Sequence, residues 1–379
     1  MVSLTGVEMN LTQLKTKIGQ SLALIIILEL IFIFAIVYVI DYFFDALYWI
    51  PVFTTGYYFP IARDLIWGFI AVAVFLIVQW SLGSSSVDYA MRPRLLRKGE
   101  NPWIEQTVNE LSEKSGIKPP KIKIVDMDAP NAFVYGRTVS SSSLCLTTGL
   151  LKSLNKNEIK AVIGHELGHL RHKDVIIMTL AAGVPLLALL VLRGGLYTAA
   201  TVGRTSRSGG KGDGAAFIVI ILIIVAIASA IFFLSLLAVR GLSRLREHYA
   251  DAHAAIATAD PHSMQSALAK ITWGLSIAPK SNQSDAMRNL YIADSSQAKL
   301  EVAYVREHKE EFDLDKDGVL DEQELVIAME KEAKKSKLSG LSAKFATHPP
   351  TYKRILLLKK IEKELQTIPA EKLNIKKLI

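Results

Sequence analysis

The chain has 379 residues, of which 50% are hydrophobic, and its mean hydropathy is +0.29, which is more than a soluble core requires. The net charge of +8 does not indicate nucleic-acid binding, because the basic residues gather near the ends of apolar runs. A single cysteine, Cys145, excludes an intrachain disulfide and a four-cysteine metal site. We expect Cys145 to fill the core, and a cysteine count of one fits a reducing, cytosol-facing location without requiring it.

Four apolar stretches are long enough to cross a bilayer, which takes about 20 residues. They are Ser21 to Ile40, Asp64 to Leu82, Val175 to Leu192 and Ala215 to Val239. The third is the shortest, and a buried soluble helix is its alternative interpretation. In the first, Glu29 lies where a carboxylate is costly, so a gating role and an interhelical hydrogen bond both stay open. No cleavable signal peptide is predicted.

The distribution of basic residues predicts the orientation of these spans. The second span is followed by Arg92, Arg94, Arg97 and Lys98. The loop between the first two spans carries almost no positive charge, so the positive-inside rule places residues 83–174 in the cytoplasm. The loop between the third and fourth spans is basic and conflicts with this rule, and its Gly/Ser-rich middle is typical of a linker.

An amphipathic helix is predicted from Asn157 to His172, and either Asn155 or Asn157 can serve as its N-cap. It contains the sequence His165-Glu166-Leu167-Gly168-His169. Two histidines four residues apart share a helix face and can bind one zinc ion at about 2.0 to 2.1 Å. Glu166 can then hold the zinc-bound water and take its proton. The alternative is a solvated helix face without a metal.

A catalytic zinc takes three protein ligands, so a third must come from elsewhere in the chain. The best candidate segment is Arg246 to Asp251, directly after the fourth span. Glu247 and Asp251 share a helix face, so Glu247 can bind zinc while Asp251 orients a ligand histidine. His248 and His253 are the rival ligands.

These residues resemble the membrane-bound M48 peptidases, and most closely the HtpX-type heat-shock protease homologues. The matching elements are Asn131 to Gly136, Leu146 to Leu151, His165 to His169, His172 to Asp174, Glu247 to Asp251, and Thr347 to Pro350 with Arg354. The resemblance implies one catalytic zinc bound by His165, His169 and Glu247, with Glu166 as the general base. It also implies four membrane helices and a cytoplasmic active site. We assign Asp251, His172 and Asp174 to the surroundings of the metal ligands.

The expected fold is that of a mainly α integral membrane protein with four transmembrane helices. A cytoplasmic α+β domain of the zincin type (gluzincin), with a small β-sheet, completes it. The predicted parts are 1–82 with two spans, 83–174 with the first part of the protease domain, 175–239 with two spans, and 240–379 with the remainder of that domain.

A small sheet is predicted upstream of the zinc helix. Lys121 to Asp126 alternates like a half-buried strand, and Ala132 to Tyr135 pairs with Val139 to Thr147 around a Gly136-Arg137 turn. An exposed edge can bind an unfolded peptide as an added strand. The predicted substrate-binding residues are Asn131, Ala132, Phe133 and Val134. An ordinary hairpin without a binding role is the alternative.

Near the C-terminus, His348 and Arg354 resemble the family's last motif and are expected to stabilise the oxyanion of the tetrahedral intermediate. The alternative is a purely structural role, in which Pro349 and Pro350 precede the start of a helix from Tyr352 to Leu358. Both interpretations are compatible.

Residues 313–324 match the twelve-residue EF-hand loop, which the HtpX-type family is not expected to carry. The predicted calcium ligands are Asp313, Asp315, Asp317, the Val319 carbonyl, Asp321 through water, and Glu324. Gly318 permits the sharp turn, and helices are expected from Val302 to Phe312 and from Glu322 to Lys337. An acidic surface loop is the alternative to this insertion at 302–337.

Together these features predict a multi-pass zinc endopeptidase of the cell membrane that degrades misfolded or damaged membrane proteins, with polypeptides and the lipid bilayer as partners and no nucleic acid. A stress response is expected from the resemblance. One alternative is a prenyl-peptide (CaaX-type) processing protease, whose relatives carry more spans. The other is a calcium-responsive membrane adaptor without catalysis, against which the intact Glu166 argues.

Overall fold

The computed structural model describes residues 16–21, 23–25, 27–28, 31–32, 60–205, 213–277, 292–293, 295–314, 316, 324–328, 346 and 348–367. Glu29 and most of the first predicted span lie outside these residues, so the gating question at Glu29 stays open. The described residues of 82–177 and 240–379 form one compact unit, and those of 19–81 and 178–239 form another.

The described elements follow in chain order. They are α1 (Pro60–Met91), β1 (Arg94–Leu95), α2 (Pro102–Ser115), β2 (Lys121–Val125), β3 (Ala132–Tyr135), a 3-10 turn (Val139–Ser141), β4 (Ser143–Thr147), α3 (Thr148–Ser153), α4 (Lys156–Arg171), α5 (Asp174–Ala181), α6 (Gly183–Thr205), α7 (Asp213–Thr258), α8 (Pro261–Ile277), α9 (Ser295–Glu307), α10 (Lys309–Phe312) and α11 (Thr351–Thr367). The described fold is therefore mostly helical with one small sheet.

The sheet has the order β1-β2-β4-β3, so β3 is an outer strand. β2 and β4 are parallel, and β3 is antiparallel to β4 with Ala132 opposite Leu146. The predicted strand over 139–147 is too long, because only Ser143–Thr147 is extended. Thr138 and Ser141 cap each other's backbone N–H groups and close a 3-10 turn instead, which uses the local hydrogen bonds that Ser and Thr favour.

Two apolar helical stretches among the described residues, 174–201 and 218–258, are long and apolar enough to cross a membrane. The first differs from the predicted third span in its boundaries. That span was expected to end at Leu192, whereas helix continues to Thr205, and the stretch is divided at Ala182 between α5 and α6. Glycine in the pair Gly194-Gly195 lowers helix propensity but does not end this helix.

The first unit has a continuous apolar core that holds the elements of the site together. It is built from the inner faces of α2, α4 and α8 with β3, β4 and the C-terminal part of α7. Cys145 is fully buried in a smaller cluster between the sheet and the end of α1. The prediction that it fills the core is consistent with this environment, and burial raises the pKa of its thiol to about 12.

Candidate metal centre

Helix α4 begins where the sequence signals predict. Asn155 is the N-cap, and the reciprocal bonds of a capping box join it to Glu158. The Glu158 side chain is fully buried and also accepts hydrogen bonds from Ser266 and from Nζ of Lys270 in α8. This ion pair fixes the first turn of α4 against α8, two turns before the first histidine.

Two glycines let α4 and α7 approach closely. A Cβ added at Gly168 would lie 3.1 Å from Cβ of His253 and 3.2 Å from Cα of Ala250. At Gly164 it would lie 3.4 Å from Cα of Ala254. Gly168 lies between the two histidines of the motif in the sequence, and its missing side chain lets α7, which carries Glu247, pack closely against α4.

The side chains of His165, His169 and Glu247 converge at this contact. Nε2 of His165 and Nε2 of His169 are 3.1 Å apart, and each lies 3.6 Å from a carboxylate oxygen of Glu247. Within the part of the chain that the structure describes, this is the one group of His, Cys, Asp and Glu side chains that is close enough to hold a metal ion.

The second nitrogen of each histidine contacts a carboxylate. Nδ1 of His165 lies 3.0 Å from Oδ1 of Asp251, and Nδ1 of His169 lies 2.7 Å from Oδ2 of Asp174. A carboxylate beside Nδ1 favours the tautomer that carries its proton on that nitrogen, which leaves the Nε2 lone pairs on the side of Glu247. Three acceptors at this distance need a cation between them, which is either a proton or a metal ion.

The spacing fits zinc. Ligand atoms about 2.0 to 2.1 Å from a tetrahedral zinc ion lie about 3.3 Å from one another, and the distances of 3.1 and 3.6 Å bracket that value. Two imidazoles and one carboxylate are also the donor set of several catalytic zinc sites. The residues present therefore suit a zinc ion held by His165, His169 and Glu247.

The pKa values of the site residues shift in different directions. Burial raises the pKa of Glu166 above its ordinary value, whereas burial lowers the pKa of His169. Burial also disfavours the charged form of His165, but Asp251 and Glu247 outweigh it and raise its pKa to about 9.

The two C-terminal residues predicted to be catalytic reach the same cluster. Nε2 of His348 lies 3.6 Å from Oε1 of Glu247. Arg354 is 1% exposed and donates to both carboxylate oxygens of Asp251, at 2.8 and 2.7 Å. Its Nη1 lies 3.3 Å from Oε2 of Glu247. Helix α11 begins at Thr351 after the two prolines, so the helix-start interpretation also applies.

Among the described residues, His172, His248 and His253 are not part of the metal-binding group. The ring of His172 packs edge to face on Tyr249, with centroids 4.1 Å apart, and its centroid lies 5.7 Å from that of His253. Nε2 of His253 bonds to Oγ of Ser115 at 2.9 Å. His248 is not in the metal-binding group, so among the rival ligands the geometry groups Glu247 with the motif histidines.

The predicted substrate edge is the outer strand β3, and its residues Ala132 to Tyr135 are buried. Asn131, directly before it, is fully buried, and its Oδ1 accepts a hydrogen bond from the backbone N–H of Ile292 at 3.1 Å. The carbonyl of Ile292 accepts from Nη1 of Arg354 at 2.5 Å. One peptide segment therefore connects the start of β3 to the guanidinium beside the metal cluster.

Sequence reasoning missed two participants. Ile292 acts through its backbone, which a side-chain pattern cannot reveal. Arg246 is buried, pairs with Asp174 and donates to the carbonyl of His172 at 2.6 Å. Its only sequence signal is its place directly before Glu247, where a buried arginine needs a partner.

The calcium-like loop is described only at its ends. Asp313 and Glu324 are described, whereas Asp315, Asp317, Val319 and Asp321 lie outside the described residues. Glu324 is 3% exposed, and its Oε1 accepts a hydrogen bond from the backbone N–H of Leu314 at 2.5 Å. The helix predicted before the loop is present as α9 and α10, which are separated at His308.

Comparison with known proteins decides the family. The profile of Peptidase family M48 matches residues 98–362. The chain belongs to peptidase family M48. This confirms the resemblance inferred from the motifs, and with it the expectation of a metalloprotease.

Individual M48 relatives match over shorter or longer stretches. A protease HtpX homolog of Aeropyrum pernix is 37% identical over 196 residues, which cover 52% of this chain and 59% of that protein. A protease HtpX homolog of Bacteroides fragilis is 33% identical over 291 residues, covering 76% of this chain and 77% of that protein. The crystal structure of S. mikatae Ste24p aligns with a TM-score of 0.44 at 17% identity, covering 79% of this chain and 59% of that one.

Proposed function

We propose that this M48 chain is a membrane-embedded zinc endopeptidase that hydrolyses peptide bonds of misfolded or damaged membrane proteins. The observation that carries the proposal is the convergence of two Nε2 atoms 3.1 Å apart with a carboxylate 3.6 Å from each. Bound zinc would act as a Lewis acid that polarises the scissile carbonyl. It would also lower the pKa of water, so that the water can lose a proton near neutral pH and attack that carbonyl. The remaining chemistry falls to the protein's own side chains.

Glu166 is the proposed general base. It follows the first ligand on α4, it is 3% exposed, and burial raises its pKa, so it accepts a proton from the attacking water more readily than an exposed carboxylate would. A Glu at this place has no use in a purely structural metal site. This argument favours the protease over the calcium-responsive adaptor.

His348 and Arg354 are proposed to assist with the negative charge of the transition state. Both side chains are buried and lie next to Glu247. The low dielectric of a buried site strengthens the electrostatic stabilisation that such polar or cationic groups give to an oxyanion. The two hydrogen bonds from Arg354 to Asp251 add a positioning role, because they hold the carboxylate that orients His165.

Peptide binding is proposed along β3, where the outer strand of the sheet begins at Asn131 beside the contact with Arg354. Strand addition tolerates many side chains, which suits unfolded substrates. The apolar helices at 174–201 and 218–258 support a membrane location. The basic residues after the second span support a cytoplasmic active site in the cell membrane.

The test is proteolysis of casein and of an unfolded membrane protein by the detergent-solubilised, zinc-loaded chain, compared with Glu166→Gln. We expect the variant to retain zinc and to lose at least about 100-fold in rate, since general-base catalysis contributes about 10² to 10⁴. Equal rates for the two proteins would contradict the mechanism. Selective cleavage of a prenylated CaaX peptide would favour the processing protease, and no cleavage of any substrate would favour the adaptor.

We further propose that residues 313–324 bind calcium. All positions of the EF-hand pattern are present, and the contact between Glu324 and the backbone of Leu314 supports a loop whose first and last positions lie close together. Calcium titration calorimetry on the full chain should show one site that Glu324→Ala removes while zinc content is unchanged. Heat in the presence of magnesium alone would indicate a magnesium site instead.

A further inference from the structure

Arg246 lies directly before the ligand Glu247 on α7, yet its guanidinium contacts the segment that follows α4. Its Nη2 forms an ion pair with Oδ1 of Asp174 and donates to the carbonyl of His172 at 2.6 Å. The exposed fractions of the two paired side chains are 6% and 8%. A buried guanidinium with both a carboxylate and a carbonyl partner is fixed in position.

Asp174 uses its two oxygens for different partners. Oδ1 pairs with Arg246, and Oδ2 lies 2.7 Å from Nδ1 of His169. The contact with Arg246 therefore sets the rotation of the carboxylate that in turn sets the rotation of the imidazole. Carboxylates behind ligand histidines commonly fix the ring and its tautomer in this way.

We propose that Arg246 is a positioning residue that holds Asp174 against His169, so that Nε2 of His169 keeps its place and its lone pair for the metal. The proposal rests on the proposed zinc site. One stretch of α7 then supplies both a metal ligand, Glu247, and the anchor for the supporting carboxylate of another ligand. The zinc-binding motif alone does not predict this series of contacts from Arg246 through Asp174 to His169.

The anchor also connects two elements. His172 is the C-cap of α4, and Asp174 opens α5. Arg246 bonds to both, so the turn between the two helices is held against α7. If α7 shifted relative to α4, Glu247 and the Asp174 carboxylate would be displaced together, and zinc affinity would report it.

The experiment measures zinc affinity by competition with a chromophoric chelator, using the detergent-solubilised full chain. We expect Arg246→Ala to bind zinc up to about 10-fold more weakly, the lower end of the usual cost of losing a partner behind a ligand histidine and no more than the loss of Asp174 itself. Arg246→Lys should recover part of this loss, since an ammonium can pair with Asp174 but lacks the planar fork that reaches a second acceptor. Arg171→Ala is the matched control, because Arg171 is an exposed arginine in the last turn of α4 and its removal should leave the affinity unchanged.

A double-mutant cycle separates positioning from general stabilisation. In Arg246→Ala/Asp174→Asn, we expect the loss of zinc affinity to be no larger than in Asp174→Asn alone, because both changes break one chain of contacts. The absorption spectrum of the cobalt-substituted protein should change in the same way in both single variants. Additive losses, or a zinc affinity unchanged in Arg246→Ala, would overturn the proposal.

Failure of the proposed zinc site can be distinguished from failure of the proposed role of Arg246. If the unmodified chain itself bound no zinc, the metal site and the role of Arg246 would both be refuted. If Arg246→Ala did not fold, the cycle would be built with Arg246→Lys, and a loss in that variant that adds to the loss in Asp174→Asn would reject the role of Arg246 alone.

Discussion

The two metal-binding histidines are supported by parallel chains of contacts that differ in origin. His165 contacts Asp251, which Arg354 holds, and Arg354 also donates to the carbonyl of Ile292. His169 contacts Asp174, which Arg246 holds, and Arg246 also donates to the carbonyl of His172. We call these the His165 chain and the His169 chain. Each runs from a histidine through a carboxylate and a guanidinium to a main-chain oxygen.

The difference lies in burial and in sequence distance. In the His165 chain, Asp251 is fully buried and takes two hydrogen bonds from Arg354, which comes from a helix about 100 residues later. In the His169 chain, the carboxylate follows its histidine by five residues, and the His169 side chain is 15% exposed. Both chains use a guanidinium from a distant helix, but the carboxylate is distant and fully buried in the first chain and comes from the turn after α4, nearer to water, in the second. We expect the buried chain to dominate metal affinity.

Proton competition is the largest expected effect, and it tests the asymmetry directly. The carboxylates of Asp251 and Glu247 overcome burial and raise the pKa of His165 to about 9 in the metal-free protein, while burial lowers that of His169. Zinc must displace one proton, from His165, at any pH below about 9. Apparent zinc affinity should therefore fall about tenfold per pH unit from pH 8.5 to 6.5, since one bound proton is released per zinc.

The measurement is chelator competition at each pH, with the chelator's own protonation accounted for. A slope of two protons would mean that both histidines are protonated and that the two chains are equivalent. No slope above pH 7 would mean that neither imidazole has a raised pKa.

Asp251→Asn should have the next largest effect. The amide cannot replace the charge that balances Arg354, so a buried guanidinium loses a partner and His165 loses its orienting acceptor. We expect zinc affinity to fall about 100-fold, the upper end for such changes. The pH slope should also shift to lower pH, because the pKa of His165 is no longer raised by Asp251.

Chelator competition and the unfolding temperature of the metal-free variant distinguish the two causes. A large drop in unfolding temperature with unaltered zinc affinity would show that Asp251 only stabilises the fold.

Asp174→Asn belongs to the less buried chain and should cost less. We expect about a tenfold loss of zinc affinity, the lower end of the same range, because water can reach the side of His169 and take over part of the hydrogen bonding. The pH slope should stay as in the unmodified chain, since the pKa of His165 does not depend on Asp174. A loss equal to that of Asp251→Asn would refute the ranking of the two chains.

The local features of the site could be predicted from sequence because they depend on short spacings. The capping signals at Asn155 and Glu158 predict the start of α4, and two histidines four residues apart must share its face. Glu247 and Asp251 share a helix face for the same reason, whereas their pairing with the histidines was expected from zinc ligand chemistry and from the family resemblance. The family profile then confirms that the motifs belong together.

The remaining features depend on tertiary contacts that no local pattern carries. Arg246 matters because α7 packs on the turn after α4, and Ile292 matters because of its backbone. The strand predicted over 139–142 failed because Thr138 and Ser141 satisfy each other's backbone groups. The helix continues past Leu192, where the third span was expected to end, because Gly194 and Gly195 alone do not break it when their neighbours are helical.

The smallest expected effect concerns the main-chain end of the His165 chain. Ile292 donates its N–H to Asn131 and offers its carbonyl to Arg354, so it ties the proposed peptide-binding edge to the metal site. Ile292→Pro removes that N–H and leaves the carbonyl. One hydrogen bond contributes about 1 kcal/mol, so we expect kcat/KM for casein to fall about fivefold.

Zinc affinity should hardly change in Ile292→Pro, because the bonds from Arg354 to Asp251 remain. The control is Ile292→Ala, which keeps both main-chain groups and removes only side-chain packing. If the alanine variant lost as much activity as the proline variant, the side chain of Ile292 would be responsible and not its backbone bonds. If the proline variant lost zinc affinity as strongly as Asp251→Asn, the His165 chain would depend on its far end, and the bidentate contact with Arg354 would not suffice to hold Asp251.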